Sequence, residues 1–433
     1  MKSAEKSDVA VIGAGLAGLC LGALLAEEGG KRALILEAGR RAGGRTRVIE
    51  KDGFLLDWGV HALLLGDRSS IVEVLRRIGA RPRIRGAGMV IAKGRGRKQI
   101  IGATPLRSLG FNALGARDAL VVLRALLRTL GNARRAPDVS VAEWLEREGA
   151  GPALEALLKT MSIGLLATRA YDRASMKEIV RFLAAALKTP SPLGYPDGGW
   201  KSLLNPLEEY IKSSENVTLL TGRKVTEIKL SGSAVKGVVA GGTFYPARIV
   251  VAALPVWETL KLLPDKTLPE EFVRTARGMR PTAGVSIDLA LRRKISSEKR
   301  VIAALEPPSL AWFVSNVSPS IAPEGRQLLT LFSPLMAEEL SSNAAVGEAF
   351  DRLEGFYFHN FPQLQKNILW KRRMKLIVTG AELNTECSLK KRPGIEATGV
   401  KGLCLAGDTV GVPGAGGEIA ARSAIECFTA ISS

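Results

Sequence analysis

Cysteine and histidine are scarce in this sequence. Its 433 residues include four cysteines and two histidines, and no two cysteines have the C-x-x-C spacing. Metal centres and disulfide frameworks are built from clusters of these residues at short spacings. We therefore expect no metal site and no disulfide framework, and the scattered cysteines indicate a reducing compartment such as the cytoplasm.

Acidic residues are few in relation to basic ones: 42 stand against 61 lysines and arginines, and the net charge is +19. Between Glu73 and Asp118 there is none, although many basic residues lie there, and residues 119–128 have the pattern of a basic amphipathic helix. The basic region 76–128 suits the anionic inner face of a membrane. A solvated basic face is an equally open interpretation. Nucleic acid is not expected, because few aromatic residues accompany the basic ones for base stacking.

Long apolar runs and repeats are missing as well. No run predicts a membrane-spanning helix, and we find no internal repeat or low-complexity tract. The length of 433 residues with 46% apolar residues is sufficient for two domains with sizeable cores.

Glycine, in contrast, is abundant and placed with a pattern near the N-terminus. Gly13, Gly15 and Gly18 form G-x-G-x-x-G between an apolar run at 8–12 and a predicted helix at 16–28, and Glu37 closes the next apolar run. The three glycines allow, in turn, a sharp turn, close approach to a pyrophosphate and tight helix packing. Glu37 is placed to accept hydrogen bonds from ribose hydroxyls, which disfavours NADP. The other predicted contacts of this loop are Ala14, Leu16 and Ala17.

Residues 37–46 extend this signature. Their sequence, Glu-Ala-Gly-Arg-Arg-Ala-Gly-Gly-Arg-Thr, resembles the E-A-x-x-x-x-G-G-R-x element of the flavin amine oxidase and phytoene desaturase superfamily. The two glycines bring backbone close to the cofactor, and an arginine supplies fixed positive charge near phosphate. Many relatives carry arginine at the position of Gly39, so Arg40 or Arg41 is expected to cover the adenosine. The resemblance implies FAD contacts from Ala38, Arg41, Gly43, Gly44, Arg45 and Thr46.

Further segments share the resemblance, which covers nearly the whole chain. Residues 54–61 are similar to an F-x-x-D-x-G-x-H element that passes the flavin ring, and residues 195–200 are similar to a P-x-G-G segment. Strands predicted between 216 and 253 include Val225, whose counterpart contacts adenine through its backbone. Residues 403–408 and the glycine loop 411–418 precede the last helix. The contacts implied by these segments are Gly59, Val60, His61, Val225, Gly407, Asp408, Gly416, Gly417, Glu418 and Ile419.

The resemblance also implies the architecture, an α/β fold with a Rossmann-like FAD-binding domain and a second, α+β substrate domain. We expect the FAD-binding domain to combine residues 1–66, 194–257 and 398–433. The substrate domain would then consist of two insertions, of which 67–193 is mainly helical and 258–397 supplies a sheet above the flavin.

The branch of the superfamily determines the predicted reaction. Amine oxidases usually carry a lysine on a substrate-domain strand, and the matching residues 281–291 contain none; the C-terminal glycine loop also lacks the cysteine that attaches flavin in monoamine oxidases. Residues 318–325 and 392–393 look like the phytoene desaturase side. We therefore expect dehydrogenation of a lipophilic substrate by hydride transfer to flavin, with oxygen or a quinone as acceptor.

Alternatives remain open at this point. They are a flavin amine oxidase, a protoporphyrinogen oxidase and a non-redox polyene isomerase that uses reduced flavin. His61 is the candidate polar group beside the ring, although a histidine at this position can equally bond only to backbone.

Overall fold

The computed structural model describes residues 2–3, 5–59, 61–93, 97–101, 118, 120–121, 124, 138–264, 267–396 and 399–432. The helices, α1 to α12, are Leu16–Glu28, Ser70–Arg77, Val141–Arg147, Pro152–Leu166, Met176–Ala186, Lys201–Ser213, Val256–Leu260, Glu270–Gly278, Ala337–Ser341, Asn343–Asn360, Gln363–Asn367 and Gly417–Ser432. The strands, β1 to β20, are Lys2–Ser3, Ser7–Ile12, Ala33–Leu36, Ile49–Lys51, Phe54–Leu56, Leu63–Leu64, Ile84–Gly86, Met89–Lys93, Arg97–Ile101, Leu193–Pro196, Val217–Leu220, Val225–Ser231, Ala234–Ala240, Thr243–Ala252, Pro281–Leu291, Val301–Leu305, Pro308–Trp312, Gln327–Leu335, Ile368–Ala381 and Leu403–Leu405.

An eight-stranded sheet carries both ends of the chain. Its order is β11-β3-β2-β14-β13-β12, and β1 and β20 also pair with β14. The strands β11, β3, β2, β14 and β20 run parallel, and β3 is buried along its whole length. Continuous apolar strands of this kind are typical of a parallel sheet covered on both faces. Because β2 and β20 both pair with β14, the N-terminal and C-terminal glycine motifs lie at one edge of this sheet.

The helix α1 confirms the prediction for residues 16–28. It begins after Gly15 and ends at Gly29, which has a φ of 77° and donates its N–H to the Leu25 carbonyl. A glycine in this conformation is a common helix terminator. The helix packs against α6 and α12, so helices from the start, middle and end of the chain meet over the sheet.

A second sheet has seven strands in the order β19-β15-β18-β17-β16-β8-β9. Strands β8 and β9 come from the segment 67–193, for which the sequence predicted mainly helix. That segment therefore supplies β8 and β9 to this sheet, and β7 to a separate three-stranded sheet with β10 and β6, in addition to its helices. Strand β15 lies between β18 and β19 and is buried from Thr282 to Leu291. The division of the chain into five domain segments stays a prediction.

Two predictions concern contact with a membrane. Of the expected amphipathic helix at 119–128, only residues 120, 121 and 124 lie within the described part of the chain, where they are helical. Within the described residues, none of the helices has the length and apolar character needed to cross a membrane.

Candidate functional site

The glycine loop between β2 and α1 has the geometry that its sequence predicts. Gly13 has a φ of 97° and donates its N–H to the Leu36 carbonyl at 2.8 Å. A Cβ on Gly18 would lie 2.0 Å from the Gly13 carbonyl oxygen, so α1 approaches the turn too closely for any side chain. At Gly15 a Cβ would meet no atom within 4 Å, because this residue faces an open cavity.

Glu37 ties this loop to the next. Its Oε2 accepts the Ala14 N–H at 2.8 Å, and its Oε1 accepts the Gly39 N–H at 2.7 Å. Both oxygens are therefore held by backbone at the end of β3. Each retains a second lone pair that can accept a hydroxyl hydrogen bond.

The Gly-Gly-Arg-Thr turn packs directly on the glycine loop. Gly43 donates its N–H to the Ala14 carbonyl at 2.8 Å, and a Cβ on Gly44 would lie 3.0 Å from the Gly15 Cα. The guanidinium of Arg45 leaves this turn and forms two hydrogen bonds of 2.7 Å with the carboxylate of Asp408. The N-terminal and C-terminal motifs are thereby joined by an ion pair.

Asp408 follows β20 and is 3% exposed. Its Oδ2 also accepts the Ala381 N–H at 3.1 Å. Burial alone would raise the pKa of this carboxyl, but the charge and hydrogen bonds of Arg45 outweigh burial and hold the pKa below its usual value. Asp408 is therefore an ionised group with its charge neutralised by Arg45.

Glu418, in the first turn of α12, lines the cavity described below, and its carboxylate is bonded to Ser70. Its Oε1 accepts the Ser70 hydroxyl at 2.6 Å and its Oε2 accepts the Ser70 N–H at 2.9 Å. Burial raises the pKa of Glu418. The side chain thus joins the N-termini of α2 and α12.

One cavity of about 450 Å³ collects most of the predicted contacts. Those that line it are Gly13, Gly15, Leu16, Ala17, Glu37, Gly44, Arg45, Thr46, Gly59, His61, Gly407, Asp408, Gly416, Gly417 and Glu418. Other predicted contacts are not among its described lining residues, namely Ala14, Gly18, Ala38, Arg41, Gly43, Val225 and Ile419. Val60 lies outside the described residues.

The rest of the cavity wall is mostly apolar and comes mainly from residues 67–193 and 258–397, with Leu63 and Leu64 from the N-terminal segment. The residues concerned are Leu63, Leu64, Ile71, Met89, Ile163, Leu165, Leu193, Val301, Leu310, Phe332, Leu376 and Val378. None of the described lining residues is a lysine. The polar contacts therefore occupy one part of a chamber whose remaining surface suits a hydrocarbon.

Several lining residues were not predicted from the sequence as cofactor contacts. Trp58 and Trp200 stand inside recognised motifs, Thr379 lies on β19, and residues 253–255 follow β14. The position of 253–255 at the end of a parallel strand beside the glycine loop was a usable signal, because ligands bind outside the carboxyl ends of such strands. The apolar residues of the wall carried no signal that separates them from core residues.

His61 is held against Trp200. The indole Nε1 donates to the His61 carbonyl at 3.0 Å, and the two rings meet edge to face at a centroid distance of 5.7 Å. Burial lowers the pKa of His61 to about 4; the positive charge of Arg45 acts in the same direction, and a hydrogen bond with the Gly59 backbone opposes both. The imidazole is therefore neutral at pH 7.

The family model of flavin containing amine oxidoreductases matches residues 16–428. The chain belongs to this family. An oxidoreductase from Methanosarcina mazei has the same fold, with a TM-score of 0.80 at 20% identity over 98% of this chain and 100% of the other. An uncharacterized protein of Methanocaldococcus jannaschii is 25% identical over 346 residues, 78% of this chain and 80% of its own length. The all-trans-retinol 13,14-reductase of Homo sapiens is 43% identical over 67 residues, 16% of this chain and 11% of its own length.

Membership of this family makes the protein a flavin-dependent oxidoreductase with FAD as its cofactor. The residues present fit that group. Gly15 faces the cavity at the N-terminus of α1, which has no acidic residue in its first turn and can accept a pyrophosphate. Glu37 retains acceptor capacity at one side of this loop, and the apolar chamber lies beyond the Gly-Gly-Arg-Thr turn.

Proposed function

We propose that this flavoenzyme dehydrogenates an uncharged, lipophilic substrate, most plainly a polyene or isoprenoid. The observation that carries the proposal is the state of the cavity's carboxylates. Each carboxylate among the described lining residues, Glu37, Asp408 and Glu418, is already bonded to protein donors. Asp408 is neutralised by Arg45, Glu418 forms an ion pair with Arg422, and Glu37, which is held by backbone N–H groups, lies at the proposed ribose end of the cavity.

This arrangement disfavours a cationic substrate. An ammonium group moved out of water into an apolar chamber is costly unless an anion or several acceptors receive it. The only described cation in the wall is Arg45, and its charge is neutralised by Asp408. A hydrocarbon chain requires no such partner, and its burial against Phe332, Leu376 and Val378 is favourable in itself.

The same geometry supports an assignment of the cofactor contacts, which remains our proposal. Glu37 would hold the adenosine ribose, Gly15 and the start of α1 the pyrophosphate, and Asp408 with Arg45 the ribityl region. His61 and Gly416 would lie toward the ring. When bound, FAD supplies a two-electron acceptor for hydride, and the chain supplies orientation and exclusion of water.

A second candidate is the reverse chemistry, hydrogenation of a polyene. The short segment similar to all-trans-retinol 13,14-reductase favours it, since that protein is named as a reductase of such a compound. Both directions need the same apolar chamber, and they differ in the partner that exchanges electrons with the flavin. We propose oxygen or a quinone in the dehydrogenase case.

The place where the enzyme meets its substrate is also part of the proposal. A lipophilic substrate resides in membranes, and the basic region 76–128 would bring the protein to an anionic surface. Exposed Leu120 and Arg124 lie one helical turn apart, which is compatible with a face that contacts lipid.

A charge placed in the chamber wall tests the proposed substrate class. Val378 lies in the wall and is only half-buried, so it tolerates a longer side chain. Val378→Glu should slow anaerobic bleaching of the flavin by phytoene at least tenfold, whereas Val378→Gln, of the same shape but neutral, should slow it much less. Val378→Glu should also allow a long-chain amine to bleach the flavin. Equal phytoene rates in the two variants, or no bleaching of Val378→Glu by the amine, would contradict a chamber that binds uncharged substrates.

A further inference from the structure

The cavity extends across the second sheet. Five strands of this sheet supply apolar lining residues, namely Leu376 and Val378 of β19, Phe332 of β18, Leu310 of β17, Val301 of β16 and Met89 of β8. In the strand order, β19 and β8 are five positions apart, which corresponds to about 24 Å at the ~4.8 Å spacing of neighbouring strands. The apolar part of the cavity is therefore long, and its long direction crosses the strands.

The strand between β19 and β18 does not interrupt this surface. β15 contributes none of the described lining side chains, and a Cβ on its Gly284 would lie 2.5 Å from the ring of Phe332. The absence of a side chain at Gly284 allows this ring to lie over β15. In the register of the sheet, Phe332 lies opposite Leu310, and Val301 lies opposite Met89. The apolar lining is thus continuous from β19 to β8.

The two ends of this surface have different neighbours. At β19, the Ala381 N–H donates to Asp408 at 3.1 Å, so this edge adjoins the proposed ribityl site. At β8, Met89 meets the helix α4, which packs on β16 and β17. The contact is with Gly164: a Cβ on this glycine would lie 3.3 Å from the Met89 Cε, and both residues line the cavity. Gly164 and Met89 therefore border the part of the chamber that is remote from Asp408.

Gly164 is an unfavourable residue for its place in the helix. It lies inside α4, Pro152–Leu166, where glycine is less stable than alanine because it loses more backbone freedom on folding. Outside the helix backbone, the one described atom within 4 Å of a Cβ here is the end of the flexible Met89 side chain, so packing does not require glycine. Gly164 is also exposed. The missing side chain therefore leaves space in the chamber rather than in the core.

We propose that the substrate is an extended apolar chain laid across the second sheet, and that its distal part lies against Gly164 and Met89. This inference rests on the proposed function and narrows its substrate class to elongated molecules. A chain that reacts near β19 must cross five strand positions to reach these two residues. Gly164 and Met89 then select among chains by length, since only long chains touch them.

The expected signature is a dependence on chain length. Burial of one more methylene group against an apolar wall strengthens binding about fourfold. A larger residue at position 164 occupies only the space of the distal part, so short chains should bind as before and long chains should lose this gain. Because the cofactor motifs adjoin the opposite end of the surface, FAD binding should not change.

A displacement assay on the FAD-loaded protein tests the proposal. The bound probe is diphenylhexatriene, an uncharged polyene that fluoresces in apolar surroundings, and linear primary alcohols of increasing length displace it. For Gly164→Leu, the affinity of the longest alcohols should fall about tenfold or more, while that of the shortest stays within about twofold. Adding Met89→Ala to Gly164→Leu makes room for the leucine and should restore most of the loss. Gly355→Leu is the matched control, at an exposed glycine of α10 with no described atom within 4 Å of its Cβ, and should change no affinity.

Several outcomes would overturn the inference. They are an equal loss at all chain lengths in Gly164→Leu, and no loss at any length. Gly164→Ala is a second test that does not depend on tolerance of leucine, because alanine favours the helix; it should give a smaller loss confined to the long alcohols. Failure of the proposed function has a different pattern, in which phytoene does not bleach the flavin of the unmodified protein although the length-dependent loss in Gly164→Leu remains. No displacement by any alcohol from the unmodified protein would overturn both.

Discussion

Arg45 and Asp408 lie 363 positions apart in the chain and form an ion pair with two hydrogen bonds of 2.7 Å. Arg45 belongs to the turn after the first parallel strands, and Asp408 follows the last strand. The pair therefore connects the two halves of the proposed FAD site. The same ion pair therefore contributes both to the stability of the fold and to the shape of the proposed cofactor site.

The first prediction concerns this pair. Asp408→Asn removes the charge opposite Arg45 inside the protein, and the free energy of unfolding at pH 7 should fall by roughly 1–3 kcal/mol. Since the pKa of Asp408 is held below its usual value, the stability it contributes is present above about pH 4 and lost as the pH falls through the native pKa. Urea unfolding from pH 7 to pH 3 should show the two proteins converging at low pH.

An exposed ion pair provides the control. Lys212 and Glu208 pair on the surface of α6, and Lys212→Met should change the free energy of unfolding by less than about 0.5 kcal/mol. A loss at Asp408 no larger than the loss at Lys212 would show that the Arg45 pair contributes little.

The second prediction separates cofactor binding from folding at two glycines of one motif. Gly15→Val places its side chain in the open cavity, so the protein should fold with its melting temperature nearly unchanged before FAD is added but fail to retain FAD on gel filtration. Gly18→Val pushes a side chain into the Gly13 carbonyl and should destabilise the fold itself. Tight FAD binding by Gly15→Val would refute the proposed pyrophosphate position.

The third prediction is a pH dependence that originates at Asp57. Burial raises the pKa of this carboxyl to about 7, and the Tyr195 hydroxyl, which donates to its Oδ2 at 2.6 Å, opposes the rise. The native state therefore holds a proton that the unfolded state has released between about pH 4 and about pH 7. The free energy of unfolding should fall as the pH rises through this range, and Asp57→Asn should remove that contribution.

A second variant, Tyr195→Phe, tests the direction of the pKa shift of Asp57. Tyr195→Phe removes the hydrogen bond that lowers the pKa of Asp57, so the loss of stability should extend to higher pH. Parallel stability curves for Asp57→Asn and the unmodified protein between pH 4 and pH 8 would contradict the assignment.

The fourth prediction concerns Glu418. Glu418→Gln places an amide where two donors of Ser70 converge, so one donor loses its acceptor and the free energy of unfolding should fall by roughly 1–3 kcal/mol. Glu426 on the same helix is exposed, and Glu426→Gln should have a small effect by comparison. Loss of FAD by Glu418→Gln without loss of stability would instead support the contact predicted from sequence.

The sequence predicted what depends on neighbours along the chain. The glycine spacing and apolar run determined β2, the turn at Gly13 and α1, because each glycine acts on its own turn or on the adjacent helix. The family resemblance extended this to the FAD cofactor and the α/β fold. These local patterns also placed Asp408 at the end of β20.

Other features depend on contacts between distant residues and could not be predicted. The direction of Glu418 is decided by Ser70, 348 positions away, and the partner of Arg45 is equally remote. Met89, Ile163 and Val378 form one wall from three separate segments, and as apolar residues they look like core in the sequence. The strands β8 and β9 join a sheet whose other members follow much later in the chain.

The most direct test of the account is the visible spectrum of the FAD-loaded protein, mixed without oxygen with phytoene, a long-chain primary amine or protoporphyrinogen. A chamber whose described carboxylates are either paired with arginine or located at the proposed ribose end predicts that phytoene alone bleaches the flavin. Bleaching by the amine or by protoporphyrinogen, with no reaction of phytoene, would contradict the proposal of an uncharged polyene substrate and assign the enzyme to another branch of its family.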